Sequence, residues 1–288
     1  MLPADLLGSF SGVLSALIWG SGDFAGGLAT RKISAFQALF LSAISGAAVL
    51  LLFALIWGES LPSSADIRWA VAGGIGGALG VIALYRGLSL GNTALVAPTT
   101  AVTATLVPVL YQLLRGDPPS AGQMAGFAVA LLGIWLVAGA AGAAGGDHSR
   151  RWEGLWLALL SGVGFGGFFV LVGQVGQGSL FAPLVVARSA ALALSLVMLA
   201  IRRERPPDLK QHQMGWLAVL AGGLDAGGNI FYLLAAQLTR LDVAAVLSSL
   251  YPAATVILAG IVTHEAISRR QWLGVTLCLS AVILIVLL

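Results

Sequence analysis

Long apolar runs broken by short polar joints set the pattern of this chain. Ten runs lie at about 6–29, 34–57, 68–90, 93–114, 121–141, 153–174, 180–201, 214–237, 242–263 and 269–288. Each approaches the roughly 20 apolar residues that an α-helix needs to cross a bilayer. The joints carry Gly, Pro, Ser or charged residues, as turns between helices do. The pattern predicts an all-α membrane protein with ten transmembrane helices. The two longest joints are "AAGAAGGDHSRRWE" (140–153) and "RRERPPDLKQHQ" (202–213), and the first falls at the middle of the chain.

That midpoint divides two stretches with matching features. With an offset of 148 residues, Asp117 falls on Glu265, Ser120 on Ser268, Gln123 on Gln271, Gly126 on Gly274, Gly74 on Gly222 and Gly80 on Gly228. With an offset of 146, Ser15 falls on Ser161 and Gly20 on Gly166. Matches at corresponding helix ends predict two five-helix repeats, residues 1–145 and 146–288. A unit of five crossings ends on the side opposite to where it began, so the second unit is inverted relative to the first. Halves related by a pseudo-twofold axis in the membrane plane are the build of many secondary transporters.

Composition agrees with lipid as the main solvent. Of 288 residues, 58% are hydrophobic and 9% charged, against about 25% charged in soluble domains. The net charge of +3 does not point to nucleic acid, because the cations sit in joints and form no basic face interleaved with aromatics. The expected partners are the lipid bilayer and a small-molecule, amino acid-like substrate. Cys278 is the one cysteine, so no intramolecular disulfide is expected. The stretch "MLPADLLGSF" lacks the positive flank of a cleavable signal, so the first run is expected to stay as a helix. Arg68, Arg115 and Arg240 fall on the N-terminal side of the membrane. Arg31, Lys32, Arg86, Arg150, Arg151, Arg202, Arg203, Arg205, Lys210, Arg269 and Arg270 fall on the other. Cytoplasmic loops carry the excess of cations, which places both termini outside.

A charge inside an apolar run costs about 2.5–3.5 kcal/mol at a helix centre. Asp23, Arg188 and Asp225 resist assignment to joints. They are expected to face water or one another. Arg188 with Asp225 would join neighbouring helices, either as a clamp or as a handle for a proton or a substrate carboxylate. Asp23 reads either as snorkelling near its helix end or as standing at a wet mouth. Gly222, Asp225, Asn229, Tyr232 and Ala236 share one face of helix eight. Ser248, Tyr251 and Thr255 repeat the theme in helix nine, and the 148 offset carries them to Thr100, Thr103 and Val107 in helix four.

Interhelical hydrogen bonds and a cavity wall both account for such stripes. Aromatics beside them favour a cavity, with the substrate-binding candidates Trp19, Tyr85, Thr100, Thr103, Phe165, Phe168, Asn229, Tyr232, Ser248 and Tyr251. The candidate hinges are Gly20, Gly80, Pro98, Pro108 and Pro252, and Pro252→Ala is expected to slow transport without unfolding the chain. Trp57, Trp69, Trp152, Trp216 and Trp272 flank joints and fit an interfacial belt. His148, His212 and His264 sit in joints or at helix ends, and the sequence has no HExxH, GxSxG or P-loop motif. No enzyme activity, metal or cofactor is expected.

"SALIWGSGDFAGGLATRK" (15–32) resembles the opening of the drug/metabolite transporter superfamily in its EamA-type ten-helix branch. "SSLYPAATVILAGIVTHEAISRRQWLGVTLCLSAVILI" (248–285) is similar to that family's second-half signature, with Pro252, Glu265 and Gly274 in its pattern. "LVVARSAAL", with Arg188, is similar to the family's arginine in the second helix of a half. The first half departs from the pattern at Ala104, Asp117 and Ser42. The resemblance implies a bacterial inner-membrane carrier working by alternating access around a central cavity. It implies export of hydrophobic or aromatic amino acids or similar amphiphiles, with both termini in the cytoplasm, opposite to the cation count. An uptake permease, a cationic drug exporter or a non-transporting accessory protein are the alternatives.

Overall fold

The structure, a computed structural model, describes residues 4–116, 120–143, 148–175, 181–207, 209, 214–238, 247–248 and 250–287. Among these residues the fold is all-α. Its ten helices are α1 (Ala4–Ala29), α2 (Ala35–Ile56), α3 (Ser64–Ser89), α4 (Thr93–Leu114), α5 (Ala121–Ala143), α6 (His148–Val172), α7 (Phe181–Arg202), α8 (Gly215–Leu238), α9 (Tyr251–Val262) and α10 (Arg269–Leu287). Asp117, Lys210, His212 and Arg240 lie outside the described residues. Among the described residues, α2, α3, α6, α7 and α8 are long and apolar enough to cross a membrane, and α4, α5 and α9 contain shorter apolar helical stretches.

Short capping motifs decide where helices start. Ser34 accepts the Gln37 N–H while the Gln37 side chain accepts the Ser34 N–H, a capping box that opens α2. Ser268 and Gln271 build the same box ahead of α10. Ser63 accepts the Asp66 N–H, which starts α3 at Ser64, four residues ahead of the apolar run. The largest difference from expectation is in α9. Its helix runs from Tyr251, so Pro252 stands in the first turn and not in the interior. There its missing N–H breaks no helical bond.

The helices pack mainly across the two halves and only lightly within each. α1 lies along α8, and α6 along α3. α2 packs on α8 and α7 on α3, while α1 meets α9 and α6 meets α4. The pairs α2–α7 and α5–α10 join the halves directly. Exchanging α1–α5 with α6–α10 maps this set of neighbours onto itself, as a pseudo-twofold axis requires. The halves therefore interdigitate, and they do not stand as two separate walls.

Interhelical hydrogen bonds obey the same symmetry. The Thr100 hydroxyl donates to the Ala158 carbonyl at 3.3 Å in the α4–α6 seam. Its counterpart Ser248, just ahead of α9, donates to the Gly12 carbonyl at 3.4 Å at the start of the α9–α1 seam. Thr255 donates to the Gly20 carbonyl at 3.1 Å two turns further along the latter. Close approach at Gly222 sets α8 on the Ser42 backbone of α2, and at the equivalent Gly74 it sets α3 on the Ala187 backbone of α7. Small residues at these crossings supply the packing that holds membrane helices together.

Acidic residues at helix ends tie the halves further. Glu59, just beyond α2, accepts the Phe181 and Ala182 N–H groups at 3.1 and 2.7 Å, at the start of α7. Glu204, just beyond α7, takes the hydroxyl of Ser34 at the start of α2. Glu265, beyond α9, accepts from the Thr93 N–H at 2.6 Å and the Thr93 hydroxyl at 2.9 Å. A carboxylate at a helix N-terminus meets unpaired N–H groups and the positive end of the helix dipole.

Candidate functional site

A cavity of about 130 Å³ opens between α1, α2, α3, α6, α7, α8 and the first residue of α9. Its charged wall comes from three helices. Arg188, eight residues into α7, forms an ion pair with Asp225 of α8, their side chains 18% and 34% exposed. The Asn229 amide, one turn on, donates to the Asp225 carbonyl at 2.7 Å and to its carboxylate at 3.3 Å. Trp19 of α1 donates its indole N–H to the same carbonyl at 3.2 Å. Its ring lies 5.8 Å from that of Tyr232. Asp23 also lines the cavity and has no hydrogen-bond or ion-pair partner among the described residues. Two acids therefore face one arginine.

The opposite wall is apolar. Phe165, Phe168 and Phe169 of α6 line it with Gly77, Ala78 and Val81 of α3, the Phe168 ring over Gly77, and Phe168 meets Phe169 edge-on at 5.7 Å. Internal symmetry relates the two walls residue by residue. The 146 offset takes Trp19 to Phe165 and Asp23 to Phe169; the 148 offset takes Asp225 to Gly77 and Asn229 to Val81. All eight residues line the cavity. Equivalent positions thus carry hydrogen-bonding or ionic groups on one wall and hydrocarbon or aromatic groups on the other.

Ring seating follows the same rule. Trp19 rests where a side chain on Gly228 would stand, and Phe165 where one on Gly80 would stand. Around the rings the polar partners differ. Ser15 donates to the Gly228 carbonyl at 2.9 Å, whereas its equivalent Ser161 is buried with its hydroxyl unpartnered among the described residues.

The cavity brings together Trp19, Asp23, Phe165, Phe168, Arg188, Asp225, Asn229 and Tyr251 from the sequence candidates. It does not include the others. Thr100 and Ser248 face helix seams through the bonds given above, and Thr103 donates to the Thr99 carbonyl at 2.8 Å within α4. Among its described residues, helix α4 accordingly contributes nothing to the wall. Tyr85 is buried with its ring over Gly26, and Tyr232 backs Trp19. Gly20 packs against the α9 backbone, Gly80 against Phe165, and Pro98 and Pro108 lie inside α4. Sequence reasoning passed over Phe169, Gly77 and Val81. Carrying Asp23, Asp225 and Asn229 through the repeat offsets finds all three.

A cavity at the junction of two five-helix repeats, with a half-buried charge cluster inside it, defines the membrane-carrier class. Residues 6–139 and 152–287 each match the model of the EamA-like transporter family, and the chain belongs to that family. It is a multi-pass membrane protein. No curated protein matches the chain. A solved structure, titled only as the crystal structure of a protein, aligns over 97% of this chain and 98% of its own, at 22% identity and a TM-score of 0.64. At that identity the likeness is one of fold.

Proposed function

We propose that the protein is a secondary transporter of a bacterial inner membrane that exports small amphiphilic metabolites, hydrophobic or aromatic amino acids foremost, by alternating access. The observation that carries the reading is the two-faced cavity. Arg188, Asp225 and Asn229 offer a cation, an anion and an amide to the two ends of a zwitterion. Across from them, the α6 phenylalanines offer a surface suited to an apolar side chain. The repeats, taken as residues 1–145 and 146–288, move against one another about this site.

The test is transport by purified protein in liposomes. Labelled phenylalanine or leucine should move down its gradient and exchange with unlabelled substrate. Failure to move any amino acid overturns the proposal. Asp23 supports a second reading, since two acids against one arginine leave the cavity able to take a cation. Under it, a quaternary ammonium compound competes with the labelled amino acid or is carried in its place.

A further inference from the structure

A second concavity lies apart from the central cavity. This groove, about 960 Å³, runs between α3 and α6 on one side and the α1–α2 joint with the end of α7 on the other. Its floor is apolar and faces outward: Leu79, Leu160 and Val163 are 53%, 61% and 55% exposed. In a membrane protein such a face meets acyl chains. The groove extends from Gly76 to Arg86 along α3 and from Leu157 to Gly167 along α6. Ten residues of helix rise about 15 Å, which is one leaflet of a hydrocarbon core about 30 Å thick.

One end of the groove is cationic. Arg86, in the last turn of α3, and Arg202, in the last turn of α7, both line it there. Arg86 pairs with Glu153 at 3.1 Å, while Arg202 lies over the Phe36 ring at 5.7 Å and has no carboxylate partner among the described residues. Arg31, Lys32, Arg203 and Arg205 adjoin it along the chain, and Glu204 is held by Ser34. Cations exceed acids at this end. The central cavity is lined towards the other ends of α2, α6 and α7, at Leu50, Phe169 and Leu184, so the two concavities differ in depth.

The geometry points to this groove as a binding site for one anionic phospholipid, with an acyl chain along α3 and α6 and its phosphate headgroup between Arg86 and Arg202. Basic clefts between membrane helices select anionic headgroups in this way. The length match commits the site to a lipid and not to a free phosphate, which would leave the apolar floor unused.

The experiment is native mass spectrometry of the full chain released from mixed phosphatidylglycerol and phosphatidylcholine of equal acyl length. Wild-type protein should retain one phosphatidylglycerol in preference to phosphatidylcholine. Arg202→Gln should reduce that preference about fivefold. Gly167→Leu should weaken retention, because an added Cβ there meets nothing within 4 Å and the side chain takes up part of the acyl path without disturbing the backbone. A phosphatidylglycerol with a photoactivated acyl chain should label α3 or α6. Equal retention of both lipids, retention by Gly167→Leu at the wild-type level, or labelling confined to other helices overturns the assignment. Binding of inorganic phosphate alone at the same arginines, with no lipid retained, also overturns it.

Discussion

The α1–α8 seam and the α6–α3 seam are the same structural element built twice, with different chemistry. Both cross through glycines, and both seat an aromatic ring over one of them, Trp19 over Gly228 and Phe165 over Gly80. The first seam is cross-linked by hydrogen bonds from Ser15 and Trp19 and carries Asp23, Asp225 and Asn229 into the cavity. The second has a Ser161 unpartnered among the described residues and presents Phe169, Gly77 and Val81 at the equivalent places. Backbone symmetry lets two halves close on one axis. Side-chain asymmetry turns that closure into a cavity with a polar and an apolar wall.

The largest effect expected from breaking this contrast comes from the ion pair. Removing one partner of a fully buried pair costs about 3–5 kcal/mol. With side chains 18% and 34% exposed, Arg188→Ala should cost less, about 2 kcal/mol of stability. Thermal unfolding in detergent measures it. Adding Asp225→Asn removes the stranded charge and should recover most of the melting temperature, while substrate transport stays lost. Unchanged melting of Arg188→Ala would mean that the pair is not a structural tie.

Glycine substitutions sharpen the comparison next. A Cβ at Gly228 stands 2.6 Å from the Trp19 indole nitrogen, whose position a hydrogen bond fixes. Gly228→Ala should cost about 1–3 kcal/mol by overpacking. At Gly80 the nearest atoms are the Phe165 ring at 2.9 and 3.1 Å, which no hydrogen bond fixes, and the Ser161 carbonyl at 3.1 Å, all farther than the Trp19 atoms over Gly228. Gly80→Ala should therefore lower the melting temperature less than Gly228→Ala, and a reversed order would contradict the account of the two rings.

The serines give a smaller, signed contrast. Ser15→Ala deletes a buried hydrogen bond and should cost about 1 kcal/mol. Ser161→Ala deletes a buried hydroxyl that has no partner among the described residues, so it should be neutral or stabilising. Equal losses in the two variants would show that Ser161 is satisfied in the membrane. Trp19→Phe makes the first seam resemble the second. It should cost about 0.5 kcal/mol for the long indole bond, with a larger change in substrate affinity than in melting temperature.

Helical periodicity explains why some of the site was legible and some was not. Asp225 and Asn229 share a face with Gly222 and Tyr232; the first two meet the cavity, while Gly222 packs on α2 and Tyr232 backs Trp19. The same reasoning applied to Thr100 and Ser248 leads to hydroxyls that bond across helix seams. A period reports which residues share a face of a helix, and it is silent on what that face meets. Glu59 and Glu204 illustrate the point from helix ends. Each lies in a joint, where a charge draws no notice, and only the antiparallel α2–α7 pairing sets each against the other helix's start.

From its sequence alone, this chain declares lipid as its solvent, ten helical runs, two matching halves and three charges too costly to be incidental. Those are local or additive properties, set by composition, run length and spacing. Which helices meet was decided by the tertiary structure, because the neighbours of a helix come from packing between segments far apart in the chain. It alone gathered Trp19, Arg188 and Asp225 on one wall and the α6 phenylalanines on the other, and it alone left Thr100 and Ser248 to hold the helices together.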